Sequence, residues 1–368
     1  MEDLTAAEAT SPPPPPVWQF AAEPTGPART EHRFAFSGDA REYFRIWVVN
    51  LALSIVTLGI YSAWAKVRSE RYFYGNTRLA GEPFEYLAKP WPILKGRLIA
   101  VSLFAIYIFA AQLSWKLQIA TALVIALATP WLFVRGCAFR ARYSAWRGIN
   151  FRFEPNYGRA YVVYLLLGIP VILSLGLMYP YVKAMQKKFL VEHHRYGGMP
   201  FTFRATAGQF YPPYLIAWGV TVAIVFTLSL LLGALAVFVA GSGGEGPPEW
   251  FMYAYLVPVY GSYFAVWAFL AAALANLVYN HTDLGPHGFR STLKGQKLLW
   301  IYAGNTVAIL ASAGFMIPWA KVRLARYRAE SLVVLSAGDL DDFRAESRAD
   351  VDATAAEMDG LFDIDIGL

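Results

Sequence analysis

Trp64-Ala65-Lys66-Val67-Arg68-Ser69-Glu70-Arg71-Tyr72 and Trp319-Ala320-Lys321-Val322-Arg323-Leu324-Ala325-Arg326-Tyr327 are two copies of one phrase, 255 residues apart. An asparagine stands fourteen residues before each tryptophan, Asn50 and Asn305, inside an apolar run. Matched residues at matched spacing mean that one building unit was used more than once. A repeat governs the architecture before any single element does.

Working outward, the connecting segments repeat as well. Seventeen residues after Trp64 comes Gly81-Glu82-Pro83-Phe84-Glu85-Tyr86. The same spacing separates Trp131 from Gly148-Ile149-Asn150-Phe151-Arg152-Phe153, and Tyr181 from Gly198-Met199-Pro200-Phe201-Thr202-Phe203. Leu284-Gly285-Pro286-His287-Gly288-Phe289 is a degenerate fourth copy. Alternating aromatics after a turn residue predict short strands. The repeating unit then reads as apolar helix, basic continuation, turn and aromatic strand. The strands are expected to pair into a small sheet outside the hydrocarbon, because unpaired strand edges do not survive in lipid.

Composition places the rest in a membrane. The chain is 57% hydrophobic and 16% charged, with mean hydropathy +0.38. Soluble domains carry about 25% charged residues. Seven apolar segments are read near 44–63, 97–115, 117–134, 161–182, 213–240, 251–279 and 298–319, several long enough to span a bilayer. They make residues 33–335 a multi-pass membrane domain. Residues 1–32, with Pro12 to Pro16, read as a disordered proline-rich arm, and residues 336–368 as an acidic tail. The expected fold is an all-α polytopic membrane protein with internal repeats and a small cytoplasmic β-hairpin element. No cleavable signal peptide is expected, and the single Cys137 excludes an intrachain disulfide.

The net charge of +6 is unevenly spread: −3 over residues 1–29, −8 over 338–368 and +17 between. Lysine and arginine mark cytoplasmic loops. Residues 65–96, 135–160, 183–212 and 320–328 are rich in them, whereas 241–250 has none. Seven full crossings would put basic loops on both sides. The conflict comes from 44–63, 161–182 and 298–319, which are basic at both ends and hold breakers: Gly59, Gly168 with Pro170, and Gly314 with Pro318. Two topologies stay open: these three segments re-enter on the cytoplasmic face, or all seven span. Either way the C-terminus is expected in the cytoplasm.

Candidate site residues follow from the phrase. Trp64, Tyr72, Trp319 and Tyr327 suit interfacial anchoring. Lys66, Arg68, Arg71, Lys321, Arg323 and Arg326 could hold phosphate or an anionic lipid headgroup. Asn50 and Asn305 need hydrogen-bond partners in hydrocarbon, and mutual pairing across a pseudo-symmetric core is the expectation. No carboxylate lies in a core segment, which weighs against a proton-coupled carrier. No His-Glu-x-x-His, Cys-x-x-Cys, P-loop or Gly-x-Ser-x-Gly spacing occurs. Accordingly no catalytic residue, metal, cofactor or nucleic-acid partner is expected, and the chain is not read as an enzyme.

These stretches carry a family resemblance. Phe36-x-Gly38, Tyr43-Phe44, Asn50, Thr57 to Arg68, Tyr72 to Thr77, Pro318 to Arg323 and Arg326-Tyr327 resemble the YjgN family of bacterial inner-membrane proteins, over roughly residues 34–335. The second copy reads Ser312-Ala313-Gly314-Phe315 where the first reads Thr57-Leu58-Gly59-Ile60. The resemblance implies a multi-pass protein of the inner (plasma) membrane and no activity. Two functions are carried forward: a membrane scaffold that binds anionic lipid headgroups, and a transporter or channel for a small anionic or neutral solute.

Overall fold

A computed structural model describes residues 29–241 and 250–338. The proline-rich arm up to residue 28 and the acidic tail from residue 339 lie outside the described residues. β1 (Thr30–Phe36) leads into a helical hairpin, α1 (Ala40–Val56) and α2 (Ser62–Asn76), which returns to β2 (Thr77–Leu79). A two-residue turn joins β2 to β3 (Glu82–Tyr86), and the order repeats with α3 (Pro90–Leu113), α4 (Trp115–Arg142) and β4 (Ser144–Trp146). The third unit has β5 (Ile149–Phe153), α5 (Tyr157–Tyr161), a π-helical turn (Val162–Leu166), α6 (Gly168–Leu173), α7 (Tyr179–Glu192) and β6 (His194–Tyr196). The fourth has β7 (Met199–Phe203), α8 (Tyr211–Gly241), α9 (Trp250–Asn280) and β8 (Thr282–Leu284). The fifth has β9 (His287–Ser291), α10 (Gly295–Ala311), α11 (Ile317–Glu330) and β10 (Leu332–Ser336).

All ten strands pair antiparallel with their neighbours, and the series closes on itself through β1 and β10. Each of β3, β5, β7 and β9 pairs at its start with the short strand of its own turn and at its end with the next strand, and β1 pairs at its start with β10. Thus Leu79 faces Glu82 in the turn pair, while Phe84 faces Trp146 across the junction. The register is equivalent at every junction: Phe34 to Leu79, Phe151 to Tyr196, Phe201 to Leu284, Phe289 to Val334. These paired residues, together with Ile149 and Met199, form one apolar cluster drawn from all ten strands. The ring is therefore filled, with a phenylalanine at the same place in each of five units.

The turns explain the short register. Ala80 with Gly81 and Arg147 with Gly148 all have positive φ, as a two-residue type I′ hairpin requires. In the other two turns the first residue, Gly197 or Gly285, has positive φ.

This ring corrects the all-α expectation. The four glycine-aromatic segments do form β3, β5, β7 and β9. Their partners went unread, because Thr77-Arg78-Leu79 and its equivalents are three residues long and continue a helix without a breaker. Period-two reading needs four residues or more. β1 and β10 were assigned to no strand, although they complete the closure.

Every helical hairpin leaves the ring from the same rim and returns to it. Two are long: Pro90–Leu113 with Trp115–Arg142, and Ala207–Gly241 with Trp250–Asn280 are the four helices among the described residues long and apolar enough to cross a membrane. The other three hairpins turn back early, at Thr57–Tyr61, at Ser174–Met178 and between α10 and α11. These are the three ambiguous segments. The turn falls at Gly59, Gly176 and Gly314. Gly168 instead opens α6 and Pro170 lies within it, while Pro318 occupies the first turn of α11, where its missing N–H is harmless.

The three turns share one design. Gly59, Gly176 and Gly314 donate N–H to the carbonyl five residues back, at Ser54, Val171 and Ile309 (2.7–2.8 Å). The preceding Leu58, Leu175 and Ala313 sit in the left-handed region at φ 49–52°. This is a Schellman helix end. A hydroxyl then caps the returning helix: Thr57 Oγ1 accepts from Tyr61 N, Ser174 Oγ from Met178 N, and Ser312 Oγ from Met316 N (2.9–3.0 Å).

Candidate functional site

Each asparagine of the repeat stays inside its own hairpin. Asn50 Nδ2 donates to Ala65 O at 3.4 Å and Asn305 Nδ2 to Ala320 O at 3.2 Å. Both side chains are buried. The expected mutual pairing does not occur, because the two residues clasp separate hairpins.

The tyrosines lock the hairpin roots. Tyr72 Oη accepts from Asp39 N and donates to Asp39 O, both at 2.8 Å. Tyr327 Oη makes the same pair of contacts with Lys294. Both rings are buried, so each holds the start of one helix against the end of its partner.

The second arginine of the phrase bridges units. Arg71 donates to Tyr86 O and Ala88 O (3.3 and 3.2 Å), and Arg326 donates to Gly38 O (3.0 Å). Gly38 and Ala88 are equivalent residues, two beyond the end of a long strand. Asn276, at the same place in the fourth hairpin, binds Leu293 O (2.8 Å) and accepts from Leu293 N (2.9 Å). Each of these side chains ties its hairpin to the next unit around the ring.

Arg68 and Arg323 differ although the phrase is the same. Arg323 Nη1 reaches Asn305 Oδ1 at 3.4 Å, and its guanidinium lies 5.1 Å from the Trp319 ring centre. A Cβ on Gly304 would sit 2.9 Å from that nitrogen. The equivalent of Gly304 is Val49, which denies Arg68 the same seat. Arg68 is exposed and the buried Oδ1 of Asn50 has no partner. Lys66 is half-buried and Lys321 exposed.

The second copy opens onto a cleft. A cavity of about 580 Å³ lies between the fifth and first hairpins, walled by Lys297, Trp300, Trp319, Arg323 and Arg326, with Asp39 and Glu330 at its edge. Lys297 Nζ stands 4.6 Å from the Tyr327 ring centre. Asp39 is already engaged as the cap of α1, accepting from Arg41 N and Glu42 N, and these bonds hold its carboxyl below the usual value. Trp300 is 68% exposed, a large aromatic at the lip. Sequence reading found Trp319, Arg323 and Arg326 but missed Lys297, Trp300 and Gly304. Their spacing on α10 puts them on one helical face, a signal that only gains meaning beside α11.

The histidines do local work. His193, His194 and His281 each direct Nδ1 to the carbonyl four residues back, at Phe189, Leu190 and Leu277 (2.6–2.8 Å). Burial pushes the His194 imidazole pKa down.

With this geometry in view, comparison with known proteins is informative. The family described as "Bacterial protein of unknown function (DUF898)" matches residues 31–361. Inner membrane protein YjgN of Salmonella typhimurium is 25% identical over 365 residues, covering 84% of this chain and 89% of that one. Inner membrane proteins YjgN of Escherichia coli O157:H7 and of strain K12 are 28% and 29% identical, over 40% of this chain and 36% of each relative. No solved structure matches.

Proposed function

The chain belongs to the DUF898 family and is an integral protein of the bacterial inner membrane; from that premise we propose that it is a membrane scaffold which engages anionic lipid headgroups at the cleft between its fifth and first hairpins. The observation that carries this reading is the convergence of Lys297, Arg323 and Arg326 beside two tryptophans in one cavity. Arg323 is held in place by Asn305, and Asp39 is occupied as a helix cap. The three cations outnumber the two carboxylates of the lining, Asp39 and Glu330. Arginine and lysine beside interfacial tryptophan suit a phosphate that enters from a leaflet.

The ring faces the cytoplasm in this reading. Basic residues gather at the ring-side ends of the hairpins, while the sequence of residues 241–250 carries none. The short hairpins then enter the cytoplasmic leaflet and turn back. α1 and α2 rise ~25 and ~22 Å, less than the ~30 Å of hydrocarbon. Their tips are apolar and open: Leu58 is 94% and Leu175 95% exposed.

Native mass spectrometry of the detergent-purified protein tests the cleft. Lys297→Gln with Arg323→Gln should lower bound phosphatidylglycerol and cardiolipin several-fold relative to phosphatidylethanolamine. An unchanged lipid ratio would remove the headgroup reading.

A further inference from the structure

A second cavity, of about 620 Å³, lies at the mouth of the ring between α7 and α9. Its size falls within the roughly 300–1,000 Å³ of small-molecule pockets. The floor is Phe151, Phe201 and Phe289, three of the five equivalent phenylalanines. One wall is the α9 stripe Ala271, Leu274, Ala275 and Val278, where the two alanines at i and i+4 leave the space open. The opposite wall, on α7, carries Leu190, Val191 and a single cation, Lys187.

Lys187 is half-buried. Among the described residues it makes no ion pair and no hydrogen bond, and no carboxylate lines the cavity. Lys187 is thus the one lysine or arginine in a largely apolar lining, and no acidic group there answers its charge. The cavity lies toward the ring-side end of α9, one of the helices long and apolar enough to cross a membrane. His194 and Phe151 separate this cavity from a neighbour of about 500 Å³, floored by Phe34 and Phe84 and edged by Arg140.

We propose that this chamber binds an amphipathic anion, its acyl chain lying along the α9 stripe over the phenylalanine floor and its carboxylate or phosphate paired with Lys187. The site is separate from the headgroup cleft and does not depend on it.

The test uses the full-length, delipidated protein in detergent with cis-parinarate, a fluorescent fatty acid. Saturable binding is expected. Lys187→Met should weaken it about tenfold, the scale of losing one paired charge on the ligand, whereas Lys187→Arg should retain it. Ala275→Trp fills the chamber without touching charge and should abolish binding. Lys297→Gln with Arg323→Gln should leave it unchanged, which separates failure here from failure of the cleft. Displacement by oleate assigns a carboxylate ligand, and displacement by lysophosphatidate alone assigns a phosphate. Wild-type affinity in Lys187→Met or in Ala275→Trp, loss of binding in the cleft variant, or displacement by neither competitor would overturn the proposal.

Discussion

At the residue scale, the three hairpin tips say most about what the chain requires. Thr57-Leu58-Gly59, Ser174-Leu175-Gly176 and Ser312-Ala313-Gly314 look dissimilar, yet their backbones agree within a few degrees. The turn asks for a hydroxyl to cap the returning helix and a glycine two residues later. It asks nothing of the side chain between, which points away from the protein. That middle residue sits left-handed without being glycine, a conformation that costs ~1–2 kcal/mol. Ala313→Gly is therefore expected to stabilise the protein by about 1 kcal/mol, read as a higher midpoint in thermal unfolding in detergent. A Cβ at Gly59 or Gly176 meets no atom within 4 Å, so Gly59→Ala and Gly176→Ala should lower the midpoint through the backbone alone. Sequence comparison located Gly59 and Gly314. It missed Gly176, because Gly168 and Pro170 are stronger breakers on paper. The chain absorbs them with a π-helical turn and a new helix start instead.

At the scale of elements, a hairpin is defined by its root more than by its length. Tyr72 and Tyr327 close the root within a unit, and Arg71, Asn276 and Arg326 tie each root to the next. Ion pairs stand at two equivalent junctions with reversed polarity, Glu154 with Arg195 and Arg204 with Asp283. Such partly exposed pairs contribute little stability, about 0.2–1 kcal/mol each. None of this was legible from the phrase alone. The phrase does mark helices that end at the ring, but the partner of its last arginine, Arg71 or Arg326, is a backbone carbonyl in the next repeat, which spacing does not reveal. The topology does follow from the roots. In a Cys137→Ala background, cysteines at residues 58, 175 and 313 should resist a membrane-impermeant maleimide applied from either side. Cysteines at 80 and 147, in the ring turns, should label only from the cytoplasm. Periplasmic labelling at 175 would show the third segment crossing the bilayer, and the ring could not then lie on one face.

At the scale of the whole molecule, five units share one interior. Phe34, Phe84, Phe151, Phe201 and Phe289 are spread over 255 residues and meet in one cluster. Aromatics in four of these places were visible as a repeat. Phe34 was not, because its junction is built from both ends of the described chain, where β1 pairs with β10. The ring thus depends on a contact with no turn to enforce it. Val333 and Val334 are buried there, and Ser336 Oγ approaches His32 Nε2 at 3.2 Å. Ending the chain after Ser331 should leave the four hydrophobic crossings inserted but open the ring. Limited proteolysis should then cut the strand segments at protease levels that spare the intact protein. Equal resistance would mean that the remaining eight junctions hold the ring without closure.

The pairing of β1 with β10 also sets an order of events during synthesis. Of the described strands β1 leaves the ribosome first and waits, while eleven α-helices are made and the long hairpins enter the bilayer, for a partner strand some 300 residues away. Until Leu332–Ser336 emerges, every nascent chain exposes a free strand edge beside the membrane. A chaperone or protease that samples such edges could tell a finished molecule from an interrupted one by the state of that single seam.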